Sequence, residues 1–147
     1  MSKRIINIEK KEHLKMIEDI ITRMASNSFQ LKSWTVSLIS AILIFADFNN
    51  EICFICIAYI PIIVFWVLDA FYLQLERKYR GLYNLVQKDL INDTNNVPYF
   101  DMNTNKVPVS CIVRIMFSKS IWPIYVVILL ATIFVFLKMS IAYKGGI

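Results

Sequence analysis

Three long apolar runs, separated by polar segments, set the organisation of this chain. They lie at 29–48 (FQLKSWTVSLISAILIFADF), 52–75 (ICFICIAYIPIIVFWVLDAFYLQL) and 121–143 (IWPIYVVILLATIFVFLKMSIAY). A bilayer core about 30 Å thick needs about 20 helical residues, so each run is long enough to cross it. The charge-free part of the first run, 33–46, is short, which predicts that Lys32 extends its ammonium to the interface. Only Asn49, Asn50 and Glu51 join the first two runs, so an antiparallel helical hairpin is expected. Lipid tolerates no open strand edge and three spans cannot close a barrel, which leaves helices.

The polar segments carry their own periodicity. Residues 1–28 are charged throughout and lack the apolar stretch of a cleavable signal peptide, so the first span is expected to serve as an uncleaved signal anchor. Within 8–28, Leu14, Ile17, Ile20, Ile21 and Met24 recur every three to four residues. This predicts an amphipathic helix that either runs into the first span or lies on the membrane surface. After the second run, Leu75, Tyr79, Leu82, Tyr83, Val86 and Leu90 keep helical spacing, interrupted only by Gly81. One helix from about Ile52 to about Ile91 is therefore expected, leaving the bilayer and packing on the N-terminal helix as a small cytoplasmic bundle. Residues 92–106, rich in Asn and Asp with one Pro, read as a loop. Residues 107–118 read as either a short strand or an interfacial segment leading into the third span.

The expected fold class is an all-α membrane protein. It has a cytoplasmic amphipathic helix at 1–28, transmembrane helices at 29–48, 52–75 and 121–143, and a cytoplasmic helix and loop region at 76–120 that begins as an extension of the second helix.

Composition agrees with this organisation. The chain is 57% hydrophobic and only 18% charged, against about 25% charged in soluble domains. Its net charge of +5 would suggest nucleic acid in a soluble protein, but the distribution argues otherwise. Seven Lys and Arg fall in 1–33 and seven in 76–120, against two after the third span begins. The positive-inside rule then puts the N-terminus and middle segment in the cytoplasm and the C-terminus outside. The expected partner is the lipid bilayer, and no nucleic acid is expected. Trp34, Trp66 and Trp122 lie toward the inner ends of their spans, where an aromatic belt would sit.

Candidate chemistry is sparse. His13, the only histidine, sits among charges and reads as solvated. Cys53-Phe-Ile-Cys56 resembles a thiol-redox pair, but such chemistry usually needs a second pair. The one other cysteine, Cys111, falls on the opposite side, so Cys53 and Cys56 read as small hydrophobes. No catalytic triad, zinc cluster or phosphate loop is visible, so no enzyme activity, metal or cofactor is expected.

Asp69 is more informative. It lies near the inner end of the second span, and a carboxylate at that depth usually faces protein or water. Lys32 and Arg23 approach the same level, so pairing across the hairpin or with a neighbouring protomer is expected. Glu76, Arg77, Arg80 and Tyr83 continue the polar stripe. Asp69, Glu76 and Tyr83 are spaced by sevens, which suits a helix–helix seam or a solvated face. Pro61 sits mid-span and is a hinge candidate, whereas Pro123 lies near a helix start.

Two stretches carry a resemblance. Residues 23–34, RMASNSFQLKSW, resemble an RMAxNSFxLKGW pattern of small bacterial membrane proteins. Residues 65–83, FWVLDAFYLQLERKYRGLY, resemble their second block, FWxLDAYYLxLERxYRxLY. The match covers roughly 13–90 and omits the third span, and Ser33 stands where the pattern has Gly. Such proteins are similar to compact transmembrane effectors encoded near antiphage defence genes. The resemblance implies a bacterial inner-membrane setting and membrane disruption on infection; it transfers a class and no sites.

From the residues themselves, both blocks meet at the inner ends of two antiparallel helices. Arg23, Asn27, Lys32, Asp69, Glu76, Arg77, Arg80 and Tyr83 are therefore the candidate helix-junction, oligomer or pore residues. One expected function is a homo-oligomeric, pore-forming effector. The other is a membrane anchor or regulator that recruits a soluble cytoplasmic defence partner to its basic region. A holin-like lysis protein fits the size but commonly ends in a basic cytoplasmic tail.

Overall fold

A helix forms wherever this sequence offers apolar periodicity without a breaker. The computed structural model describes residues 2–49, 52–92, 98 and 100–145, and among these there are helices and no strand. The elements are α1 (Ser2–Asn49), α2 (Ile52–Ile91), α3 (Ile112–Met116) and α4 (Trp122–Gly145), with a 3-10 turn at Thr104–Lys106. The long helices α1, α2 and α4 are each long and apolar enough to cross a membrane.

Helix α1 contains neither Gly nor Pro, so nothing ends it between its charged and apolar parts. Of the two expectations for the N-terminal segment, it runs into the first apolar run. Helix α2 continues through Pro61. Ala58 and Ile62, which flank that proline, are fully buried. Pro123 lies in the first turn of α4, where a missing N–H costs no helical bond. Residues 107–118 contain no strand; the five-residue α3 stands there instead. The described part of 92–106 is irregular until its last turn, where the Asn103 side chain accepts from the Asn105 N–H.

The chain forms two compact units. The first comprises Met1–Asn27 and Tyr72–Cys111. Here α1 and α2 bury Ile17, Leu82 and Val86, flanked by Leu14, Ile21, Tyr79 and Tyr83. The apolar spacing had marked Leu14, Ile17 and Ile21 for such a face. Each buried Ile or Leu contributes roughly 1.5–3 kcal/mol. Met102 and Val107 close the cluster from the connecting segment. Lys10 is 4% exposed and donates to the Asp89 carbonyl at 3.4 Å.

His13 corrects the expectation of a solvated side chain. It is 2% exposed and its ring lies 5.9 Å from that of Phe100. Phe100 has a φ of 59°, uncommon for a bulky residue. A residue-type reading sees charges around position 13, but the helical stripe through Lys10, His13 and Ile17 points inward. Burial lowers the His13 pKa from its ordinary 6.5, against an opposing hydrogen bond and charge from Asp101.

The second unit comprises Ser28–Phe71 and Ile112–Ile147. At one end, Ala46 of α1, Ile55 of α2 and Met139 of α4 are buried together. The end of α1, the start of α2 and the end of α4 thus coincide, giving an up-down-up arrangement. Alanine at 46, 58 and 70 is fully buried, and small side chains let helix backbones approach closely. Phe45 and Phe54 meet edge to face at 5.1 Å. Asp47 and Lys138 pair at 3.6 Å with both side chains exposed, a contact of little energetic weight.

Candidate functional site

The other end of the second unit gathers most of its buried polar side chains. Ser28 and Lys32 lie four residues apart on α1 and so share a face. Asp69 of α2 meets both. Lys32 Nζ lies 2.9 Å from Asp69 Oδ2, donates to Asp69 Oδ1 at 2.9 Å and donates to Ser28 Oγ at 2.7 Å. The Ser28 hydroxyl in turn donates to Asp69 Oδ1. Asp69 is fully buried and the Lys32 side chain is 17% exposed. Removing a carboxylate from water costs several kcal/mol, and a paired ammonium with an added hydroxyl donor offsets that cost. The Lys32 ammonium is therefore committed to Asp69 rather than extended alone toward an interface.

The same region holds the third span in place. Tyr125, fully buried on α4, donates its hydroxyl to the Phe65 carbonyl of α2 at 3.1 Å. Its ring stacks on Trp66 at 5.7 Å and 10°. Trp66 also meets Phe117 edge to face at 5.6 Å and donates Nε1–H to the Met116 carbonyl at 3.2 Å. Trp66 is thus packed between aromatic rings, whereas Trp34 and Trp122 are exposed. Thr35 is fully buried and returns its hydroxyl to the Leu31 carbonyl at 2.7 Å, a common way to satisfy a buried threonine on a helix.

Of the partners expected for Asp69, Lys32 is the one that pairs. Arg23 is exposed and Asn27 half-buried, and both belong to the first unit. Glu76 is 7% exposed and pairs with Arg80 at 2.6 Å along α2. Tyr83 packs against the Ile17–Leu82–Val86 cluster. Of the positions spaced by sevens, Asp69 and Glu76 are thus buried and Tyr83 is half-buried. Arg77 and Arg80 line an open cleft beside 107–110. Cys53, Cys56 and Cys111 are free and exposed.

Ser28, Thr35 and Tyr125 escape sequence reasoning as site residues. The signal for the first two was present, since polar residues at 28, 32 and 35 follow a 4-3 spacing through an apolar helix. Tyr125 had no such signal, because its role depends on where α4 packs.

These features define an all-helical chain with three helices long and apolar enough to cross a membrane, joined by a buried ion pair and an aromatic stack. No protein-family model matches the chain, and no curated protein or solved structure matches it either.

Proposed function

We propose that this protein is a non-enzymatic effector of the bacterial inner membrane that associates with copies of itself and permeabilises or disrupts the membrane in antiphage defence. One observation carries the reading. In the most apolar stretch of each long helix only 17–22% is buried within the chain. Most of the apolar surface is thus left to lipid or to other copies, while Ser28, Lys32 and Asp69 are turned inward. In lipid, helices associate through close packing and polar contacts and not through hydrophobicity. A chain whose polar contacts are internal at rest can exchange them for contacts between copies when triggered. The basic segments at 1–33 and 76–120 are cytoplasmic in this reading, where they read the trigger. The two resembling blocks at 23–34 and 65–83 support the defence setting.

The test is expression of the full chain with and without phage infection, followed with a potential-sensitive dye and crosslinking in membranes. Loss of potential together with a ladder of oligomers is expected. A strictly monomeric chain that leaves the potential intact under the same trigger overturns the proposal. The cleft at Arg77 and Arg80 favours a second reading, an anchor or regulator that recruits a soluble partner. That reading expects a pull-down dependent on 76–118 and no ion flux in liposomes.

A further inference from the structure

The cleft of the first unit is built from two sides. On one side, Arg77, Arg80 and Asn84 project from successive turns of α2; on the other runs the irregular segment from Val107 to Ser110. The cleft is open and its volume is about 320 Å³, enough for one or two phosphate groups. Two features hold the second wall against the helix. Gln74 Nε2 donates to the Ser110 carbonyl at 3.2 Å. At Gly81, a Cβ would lie 2.3 Å from Val107 Cγ1, so glycine alone lets Val107 seat against α2.

The charge in this cleft is unbalanced. Arg80 Nη2 meets Glu76 Oε1 at 2.6 Å, and Glu76 is itself nearly buried while the Arg80 side chain is 64% exposed. One carboxylate contact fixes the guanidinium in place and leaves other N–H donors free. Arg77 has no ion-pair partner among the described residues. Two guanidiniums against one carboxylate, beside an amide side chain, present a net positive, donor-rich surface. Such forks match the geometry of phosphate oxygens better than a lone ammonium does.

We infer that this cleft is a binding site for a phosphate-bearing ligand, held by Arg77, Arg80 and Asn84. Its source is either a soluble phosphate compound or the headgroup of an anionic lipid. The inference deepens the effector reading, in which the occupant is the trigger.

The experiment uses the full chain in neutral detergent and follows its melting temperature. Inorganic pyrophosphate is titrated in one arm and phosphatidylglycerol in the other, with phosphatidylcholine as the uncharged control. A saturable rise with pyrophosphate alone assigns a soluble ligand. A rise with phosphatidylglycerol alone, or with both, assigns the headgroup chemistry. Arg77→Gln/Arg80→Gln should weaken either response about tenfold or more, whereas Lys88→Gln, which removes a positive charge from the same helix outside the cleft, should not. Circular dichroism of the variants checks that the helices persist; if the double variant unfolds, Asn84→Leu alone should weaken the response. No saturable rise with either probe overturns the inference, as does an equal loss in Lys88→Gln. Either failure with membrane depolarisation intact removes the site and leaves the effector reading standing.

Discussion

At the scale of single residues, Asp69 and His13 carry the clearest consequences. Replacing Asp69 with Ala leaves a partly buried ammonium facing no carboxylate. A loss of about 3 kcal/mol is expected, measurable by denaturant titration in micelles. Lys32→Met/Asp69→Leu should recover most of that loss, because neither remaining group needs a counter-charge. His13 gives a prediction about pH. Its folded pKa lies below the 6.5 of the unfolded chain because burial disfavours the cation. Acid therefore protonates the unfolded chain first. The His13 contribution is intact above about pH 6.5 and is lost as pH falls from there toward the lower folded value. Melting temperatures of His13→Phe should decline less between pH 7.5 and 5.5 than those of the parent. Asp69 was legible as a site from its depth in an apolar run, and Lys32 as a candidate partner. His13 was misjudged because the neighbours counted were those in sequence, and the burying ring, Phe100, comes from a distant segment.

At the scale of elements, the helices follow from what the sequence lacks. Residues 2–49 hold no Gly or Pro, and 52–91 hold one of each; the periodicity of α2 is strong enough to carry the helix through both. The segment 107–118 was not legible, since its conformation is set by what it packs on. Gly81 shows how. Gly81→Ala gains helix propensity of about 1 kcal/mol, but the new Cβ must displace Val107, costing about 1–3 kcal/mol. A net loss of about 1 kcal/mol is expected by denaturant titration, with faster proteolysis in 98–111. Adding Val107→Ala should relieve the clash, so that the double variant is more stable than the two single effects sum to.

At the scale of the whole molecule, the number of long apolar helices was legible from hydropathy alone, because bilayer thickness imposes a length that few soluble elements match. What the third span packs against was not, as it depends on Tyr125 finding Trp66 and the Phe65 carbonyl. The proposed orientation yields a further test. In a cysteine-free chain, an impermeant maleimide added to spheroplasts should label Lys144→Cys and spare Asn105→Cys. The reverse pattern would place the basic segments outside and remove the basis for a cytoplasmic trigger.

The Lys32–Asp69 pair also bears on how the chain is made. Synthesis delivers α1 first, and its lysine has no counter-charge until α2 has emerged through residue 69. An ammonium left at membrane depth without its carboxylate is costly. The first two helices should therefore leave the insertion machinery as one hairpin, with α4 following to lock Trp66. Chains ending shortly before Asp69 should stay extractable by alkali, whereas chains extended past it should resist extraction. The contact that holds the finished fold would then also time its assembly.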